Sequence, residues 1–235
     1  MDNRRYFTID VPQHTAVVIA GPDARATYYP RRALSAAAAG DPTLSVTSLR
    51  LDELSAAHLA QADVLILANV QDPTSQEIRI TREFAASGGG VLMIPGVGAD
   101  AARLNRELLA DLVPASLASI SGRPGGAALV HLDTARLHSD LFAGLLDEPD
   151  DRPEFYATFG VQAQQQLAVL ASFEDGQPAL LEGRSRAGHV LLWPTPLDLA
   201  WSDVPLRGLF VPLLQRMVRY LSRTTSHSTD YIVGD

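Results

Sequence analysis

Asp63-Val-Leu-Ile-Leu-Ala-Asn69, then Asp72-Pro73-Thr74-Ser-Gln-Glu77, then Gly88-Gly89-Gly90 and Val91-Leu-Met-Ile-Pro95, is the stretch on which the reading of this chain turns. A short unbroken apolar run bounded by polar residues is the pattern of a strand covered on both faces, since an alternating run is what a half-exposed strand shows. Thr74 with Glu77 three residues on is a capping-box pattern that starts a helix. That helix runs to about Ser87, with Ile78, Phe84 and Ala85 among its apolar positions, and the three glycines stop it. Val91 to Pro95 is then a second buried strand. A strand, a helix and a strand of this length close with the two strands parallel and a right-handed crossover.

The same alternation extends outward in both directions. Ala16-Val-Val-Ile-Ala20 reads as a buried strand ended by Gly21-Pro22-Asp23. Pro30 opens a helix through Ala39 that Gly40 closes. Leu44 to Leu49 alternates and reads as a strand, Ser55 to Gln61 as a short helix, and Asp100 to Leu112 as a longer one. Four β–α repeats predict a doubly wound, mainly parallel α/β sheet. Pro114 to Gly126, rich in Ser, Gly and Pro, reads as a loop.

The second half is richer in strand patterns: Ala127–Leu132, Phe155–Val161, Leu167–Phe173, Ala179–Glu182 and His189–Trp193. Glu174 to Gln177 and Gly183 to Gly188 read as hairpin turns. These strands are expected to extend the sheet antiparallel or to form a small side sheet. A final helix from Pro205 to Leu221 carries Leu206, Leu209, Phe210, Leu213, Leu214, Met217, Val218 and Leu221 at helical spacing. Pro212 inside it predicts a kink or marks its true start. One domain over residues 1–223 is expected, with a polar tail or linker over 224–235.

Composition narrows the function classes. The chain has 235 residues, 46% of them hydrophobic and 20% charged, with a formal net charge of −8. That length suffices to bury roughly 70–75% of the unfolded surface in one core. The basic residues are all Arg and scattered, the densest pairs being Arg4-Arg5 and Arg31-Arg32, so no stripe for a nucleic-acid backbone is present. Absence of Cys removes disulfides, thiolate metal sites and Cys nucleophiles together. No apolar run reaches the ~18–20 residues that span a bilayer. Met1 to Arg5 is polar and Tyr6 to Asp10 has no signal-peptide core. The N-terminus reads as a strand or linker entered mid-chain, so a longer parent protein is expected.

By topology a ligand crevice belongs at the C-terminal ends of the parallel strands, which puts Gly21, Asp23, Asn69, Gln71, Gly96, Val97 and Gly98 at its rim. Gly96-Val-Gly98 follows a strand and precedes a helix; it is read either as an anion cradle or as a tight turn, the full Gly-x-Gly-x-x-Gly pattern failing at Ala101. Asp198, Trp201 and Asp203 form a polar-aromatic cluster. It would serve as an interaction surface, or else Asp198 caps a turn and Trp201 packs under the final helix. His14, His58, His131, His138, His189 and His227 show no metal-ligand spacing; His131 and His138, seven apart with Asp133 between, come nearest. Ser35, Ser87, Ser121 and Ser139 lack a Gly-x-Ser-x-Gly elbow. No catalytic residue, metal or cofactor is expected.

Five segments in order carry a resemblance: Asp63 to Val70, Phe84 to Gly96, His138-Ser-Asp-Leu-Phe142, Gly188 to Leu192, and Asp198-Leu-Ala-Trp-Ser-Asp-Val-Pro205. Together they resemble the class I glutamine amidotransferase-like domain of large bacterial membrane proteins related to the Bat aerotolerance proteins, over about residues 5 to 222. In those proteins two transmembrane helices and a von Willebrand factor A domain precede such a domain; its Asp-x-Ser-x-Ser metal pattern is absent from this chain. The resemblance implies a flavodoxin-like core. Active amidotransferases place a Cys in Gly-x-Cys-x-Gly after a strand, and the matching place here is Met93-Ile-Pro-Gly-Val-Gly98, with Val97 near the Cys position. Their His-Pro-Glu pattern falls at Trp193-Pro-Thr-Pro-Leu-Asp198, without His or Glu. The implied role is a non-catalytic binding or scaffolding domain of a membrane-anchored protein, extracytoplasmic and contacting protein partners or other domains of its parent; a free-standing chain would be cytoplasmic. The alternative is a ThuA-like, sugar-related small-molecule binder or cysteine-independent hydrolase using the crevice. A third reading is a rigid interdomain spacer.

Overall fold

The structure, a computed structural model, describes residues 14–137, 140–147, 152–163 and 167–222. Arg4-Arg5, His138, Ser139, His227 and the 224–235 tail lie outside the described residues. Nine strands are described: β1 Thr15–Gly21, β2 Leu44–Arg50, β3 Val64–Val70, β4 Gly90–Pro95, β5 Ala115–Gly122, β6 Ala157–Ala163, β7 Ala168–Ser172, β8 Pro178–Ser185 and β9 Gly188–Leu192. The helices are α1 Tyr28–Ala38, α2 Ala56–Leu59, α3 Ser75–Ala86, α4 Ala101–Leu104, α5 Ala110–Leu112 and α6 Phe210–Ser222.

Seven strands form one sheet in the order β2-β1-β3-β4-β9-β8-β7. The first five are parallel, while β8 and β7 add on antiparallel. Alternation along β1 and β3 splits the core between the two faces. Val17, Ile19 and Ile66 face α1 and α6; Val18, Leu65 and Leu67 face α3 and the α4–α5 segment. Both layers bury their strands, so no polar residue interrupts Val64 to Ala68. The expected capping box at α3 is formed: Glu77 N–H donates to the Thr74 hydroxyl (3.3 Å), and Thr74 N–H to the Glu77 carboxylate (2.7 Å).

Where pairing is long-range the structure departs from the expectations. The Ser-rich stretch read as a loop is β5, paired antiparallel with β6 in a separate two-stranded sheet. Its Ala, Ser and Gly residues carry little strand signal, and a partner about forty residues away makes the strand. Ala127–Leu132 is not a strand; Val130 and Leu132 make single bridges to Phe155 and Phe173. The strand β9 is not an antiparallel addition but pairs parallel with β4, inside the sheet. The β8–β9 turn is only Arg186-Ala187, because β8 runs to Ser185.

Helix boundaries shift too. α1 starts at Tyr28, with Pro30 in its first turn. The helix expected over 100–112 is α4, a π-helical segment Asn105–Leu109, and α5. Pro212 sits in the first turn of α6 and so marks its start, where a missing N–H is harmless. Leu206, counted with the apolar face, belongs to a preceding 3₁₀ turn and is 67% exposed.

Candidate ligand crevice

From β1 the chain moves outward to β2 on one side; β3 and β4 build on the other. Strand order therefore reverses between β1 and β3, and in open α/β sheets the crevice at such a reversal receives ligands. A cleft of about 690 Å³ opens there. Asp23 and Arg25 come from the β1–α1 loop, and Tyr28, Tyr29 and Arg31 from the first turn of α1. Asn69 and Gln71 leave β3, Val97 leaves β4, and Leu197, Asp198 and Leu199 arrive from the segment after β9.

Asn69 holds this site together. Its φ is +53°, in the left-handed region that Asn tolerates better than other side-chain-bearing residues. The β3–β4 register shifts between Leu67 and Val70, which turns Val70 onto the face of Leu65 and Leu67. The Asn69 side chain, 8% exposed, accepts from Leu197 N–H (2.8 Å) and donates to Leu197 C=O (3.2 Å). One amide thus does the work of a missing strand neighbour and fastens the 197–199 segment over the cleft. Gly96 is required beneath it, because a Cβ there would stand 2.2 Å from the Asn69 carbonyl oxygen.

The two carboxylates of the cleft are each partly engaged by backbone. One Asp23 oxygen accepts from Arg25 N–H and Ala26 N–H, both 2.9 Å. One Asp198 oxygen accepts from Ala200 N–H at 2.8 Å. Burial, then the neighbouring Tyr28, then the Asp198 charge push the Tyr29 hydroxyl above its ordinary value, so at neutral pH it stays a donor. Tyr28 meets Tyr29 edge-on, centroids 5.2 Å apart, and is itself 47% exposed.

Of the seven residues expected at the rim, Asp23, Asn69, Gln71 and Val97 line the cleft. Gly21 and Gly96 lie buried in the walls, and Gly98 (φ +78°) turns the chain outside it. Of the second cluster only Asp198 lines the cleft. Trp201 is 2% exposed and stacks on Phe159 at 5.2 Å. It packs on the sheet face opposite α6, so the expectation that it lies under the final helix is corrected. Asp203 accepts from Glu154 N–H and pairs with Arg207. Sequence reasoning missed Arg25, Tyr28, Tyr29 and Arg31; starting α1 at Pro30 hid the tyrosines. Among the described residues no group of three His, Asp or Glu could hold a metal ion. His189 binds the Glu182 carboxylate at 2.5 Å, His58 the Ser55 hydroxyl and His131 the Pro153 carbonyl. No described helix is long and apolar enough to cross a membrane.

No protein-family model and no curated protein matches this sequence. Solved structures do. A cytoplasmic protein from Salmonella typhimurium LT2 is similar with a TM-score of 0.69 at 15% identity, over 88% of this chain and 99% of that one. A ThuA-like protein from Bacteroides uniformis gives 0.61 at 15% identity, over 93% and 95%. A β-galactosidase from Bacillus circulans gives 0.60 at 13% identity, over 90% of this chain and 31% of that one. At these identities the likeness establishes the fold alone: a flavodoxin-like, mostly parallel α/β sheet.

Proposed function

We propose that this chain binds a small hydroxyl-rich molecule, a sugar or sugar derivative, in the crevice between the C-terminal ends of β1, β3 and β4. The observation that carries the reading is the composition of the cleft at the point where strand order reverses. Its volume of about 690 Å³ suits a small ligand. Tyr28 offers a ring face for the C–H surface of a sugar. The outer oxygens of Asp23 and Asp198, the Gln71 amide and the protonated Tyr29 hydroxyl supply the mixed donors and acceptors that hydroxyls need. The fold shared with a ThuA-like protein and with a segment of a β-galactosidase supports a sugar-related role. Thiolate chemistry on glutamine is not available to a chain without Cys.

The test is calorimetric titration with a panel of mono- and disaccharides against the wild type, Tyr28→Ala and Asp198→Ala. At least one sugar is expected to bind, about tenfold more weakly in each variant, a loss of ~1.4 kcal/mol. Absence of binding across the panel at millimolar concentration, or binding that neither variant alters, sinks the proposal.

A further inference from the structure

We infer that the ligand of this crevice carries an acidic group, a carboxylate or a phosphoryl, gripped by Arg25 and Arg31; this rests on the crevice being the binding site. Both residues line the cleft, and neither guanidinium has a hydrogen-bond or ion-pair partner among the described residues. Among the described residues the side chains of Arg32, Arg123 and Arg186 also lack partners, but only Arg25 and Arg31 share this cleft, and several arginines elsewhere on the surface are engaged. Arg82 pairs with Asp111 at 2.8 Å, Arg79 with Glu83 at 3.0 Å, and Arg216 donates to the Ala143 carbonyl at 2.7 Å. The chain has 27 carboxylate residues against 19 arginines, so partners are in surplus.

The cleft's own carboxylates leave the arginines free. Asp23 caps the loop that carries Arg25, and Asp198 caps the turn that carries Ala200; neither reaches a guanidinium. Arg31 also stands in the first turn of α1, which contains no acidic residue. A cation there is opposed by the helix dipole, and an anion between it and the helix end relieves the opposition. A guanidinium presents a planar fork of donors that matches carboxylate and phosphate oxygens two at a time. In the same cleft Asp23, Asp198, Gln71 and Tyr29 remain for hydroxyls. An acidic group on a hydroxylated skeleton matches this mixed lining.

The experiment is titration of the full chain, at fixed ionic strength, with matched sets of neutral sugars, the corresponding sugar acids and the corresponding sugar phosphates. Arg25→Gln and Arg31→Gln are titrated alongside; both side chains are exposed, and circular dichroism checks that the variants fold. One acidic set is expected to bind at least tenfold tighter than its neutral counterparts, and which set wins distinguishes carboxylate from phosphoryl. Each variant should bring that preference to within about threefold. Neutral sugars that bind as well as their acidic counterparts overturn the inference and leave the crevice reading standing. A preference that survives both substitutions also overturns it. Binding by none of the three sets overturns both.

Discussion

Replacing Asn69 by Ala should be among the most damaging single changes at the crevice, and its cost can be worked out from the geometry. The side chain makes two hydrogen bonds to one residue, Leu197, 128 positions away. Truncation leaves the Leu197 N–H and C=O without these partners in a place where the residue is 5% exposed. At ~1–2 kcal/mol for each orphaned group, the bonds account for about 2–4 kcal/mol. The φ of +53° adds ~1 kcal/mol, because Ala tolerates the left-handed region less well than Asn. Asn69→Ala should therefore lose about 3–5 kcal/mol, a large part of the ~5–15 kcal/mol typical of a whole domain. Asn69→Gly loses the same bonds without the backbone strain and should be ~1 kcal/mol less damaging. Urea unfolding of the three proteins at one temperature reads this as a fall in midpoint at constant slope. An alanine variant within 0.5 kcal/mol of wild type would refute the clamp. A glycine variant no better than alanine would refute the strain.

Gly96→Ala should cost ~2–3 kcal/mol, since its Cβ meets backbone at 2.2 Å, while Gly98→Ala, at φ +78° with open space around it, should cost only ~1–2; their order in urea midpoints checks the argument. Trp201→Ala should cost ~3–5 kcal/mol by removing the ring stacked on Phe159, far above the effect of a surface tryptophan, and a loss below 1 kcal/mol would contradict its burial. Burial first, then the hydrogen bond and charge of Glu182, push the Tyr220 hydroxyl up to about 12. A folded-state value above the unfolded one of 10.0 means a contribution fully present below pH 10 and lost as pH rises through 12. Tyr220→Phe should flatten the fall in stability across that window, and an unchanged profile would count against the shift.

The fold was legible because its signals are local. An apolar run such as Val64 to Ala68 states its own burial, and Thr74 with Glu77 forms its cap within one turn. Alternation of such units leaves few topologies besides a parallel doubly wound sheet. The strands of the second half were legible as strands, yet their directions were not. Whether β9 runs parallel to β4 or extends the edge depends on which neighbour buries Val190, Leu191 and Leu192, and nothing within the segment states it. β5 was hidden for the same reason, since Ala, Ser and Gly become strand only through β6.

The crevice divides along that line. Strand ends pointed to Asp23, Asn69, Gln71 and Val97, because a topological rule carries residue positions with it. The composition that makes the cleft specific depends on convergence. Arg25 and Arg31 read as scattered surface charge, and only packing shows that they share a cleft and lack partners. Asp198 and Trp201 are three residues apart, yet one faces the cleft and the other the core. The residues themselves dictated most elements of the first half, the double-sided sheet and the absence of thiol chemistry, because propensity, capping and composition act within a few positions. Strand direction in the second half, the Asn69–Leu197 clamp and the gathering of charge at the crevice were decided by three-dimensional packing alone, because each joins groups that the chain keeps far apart.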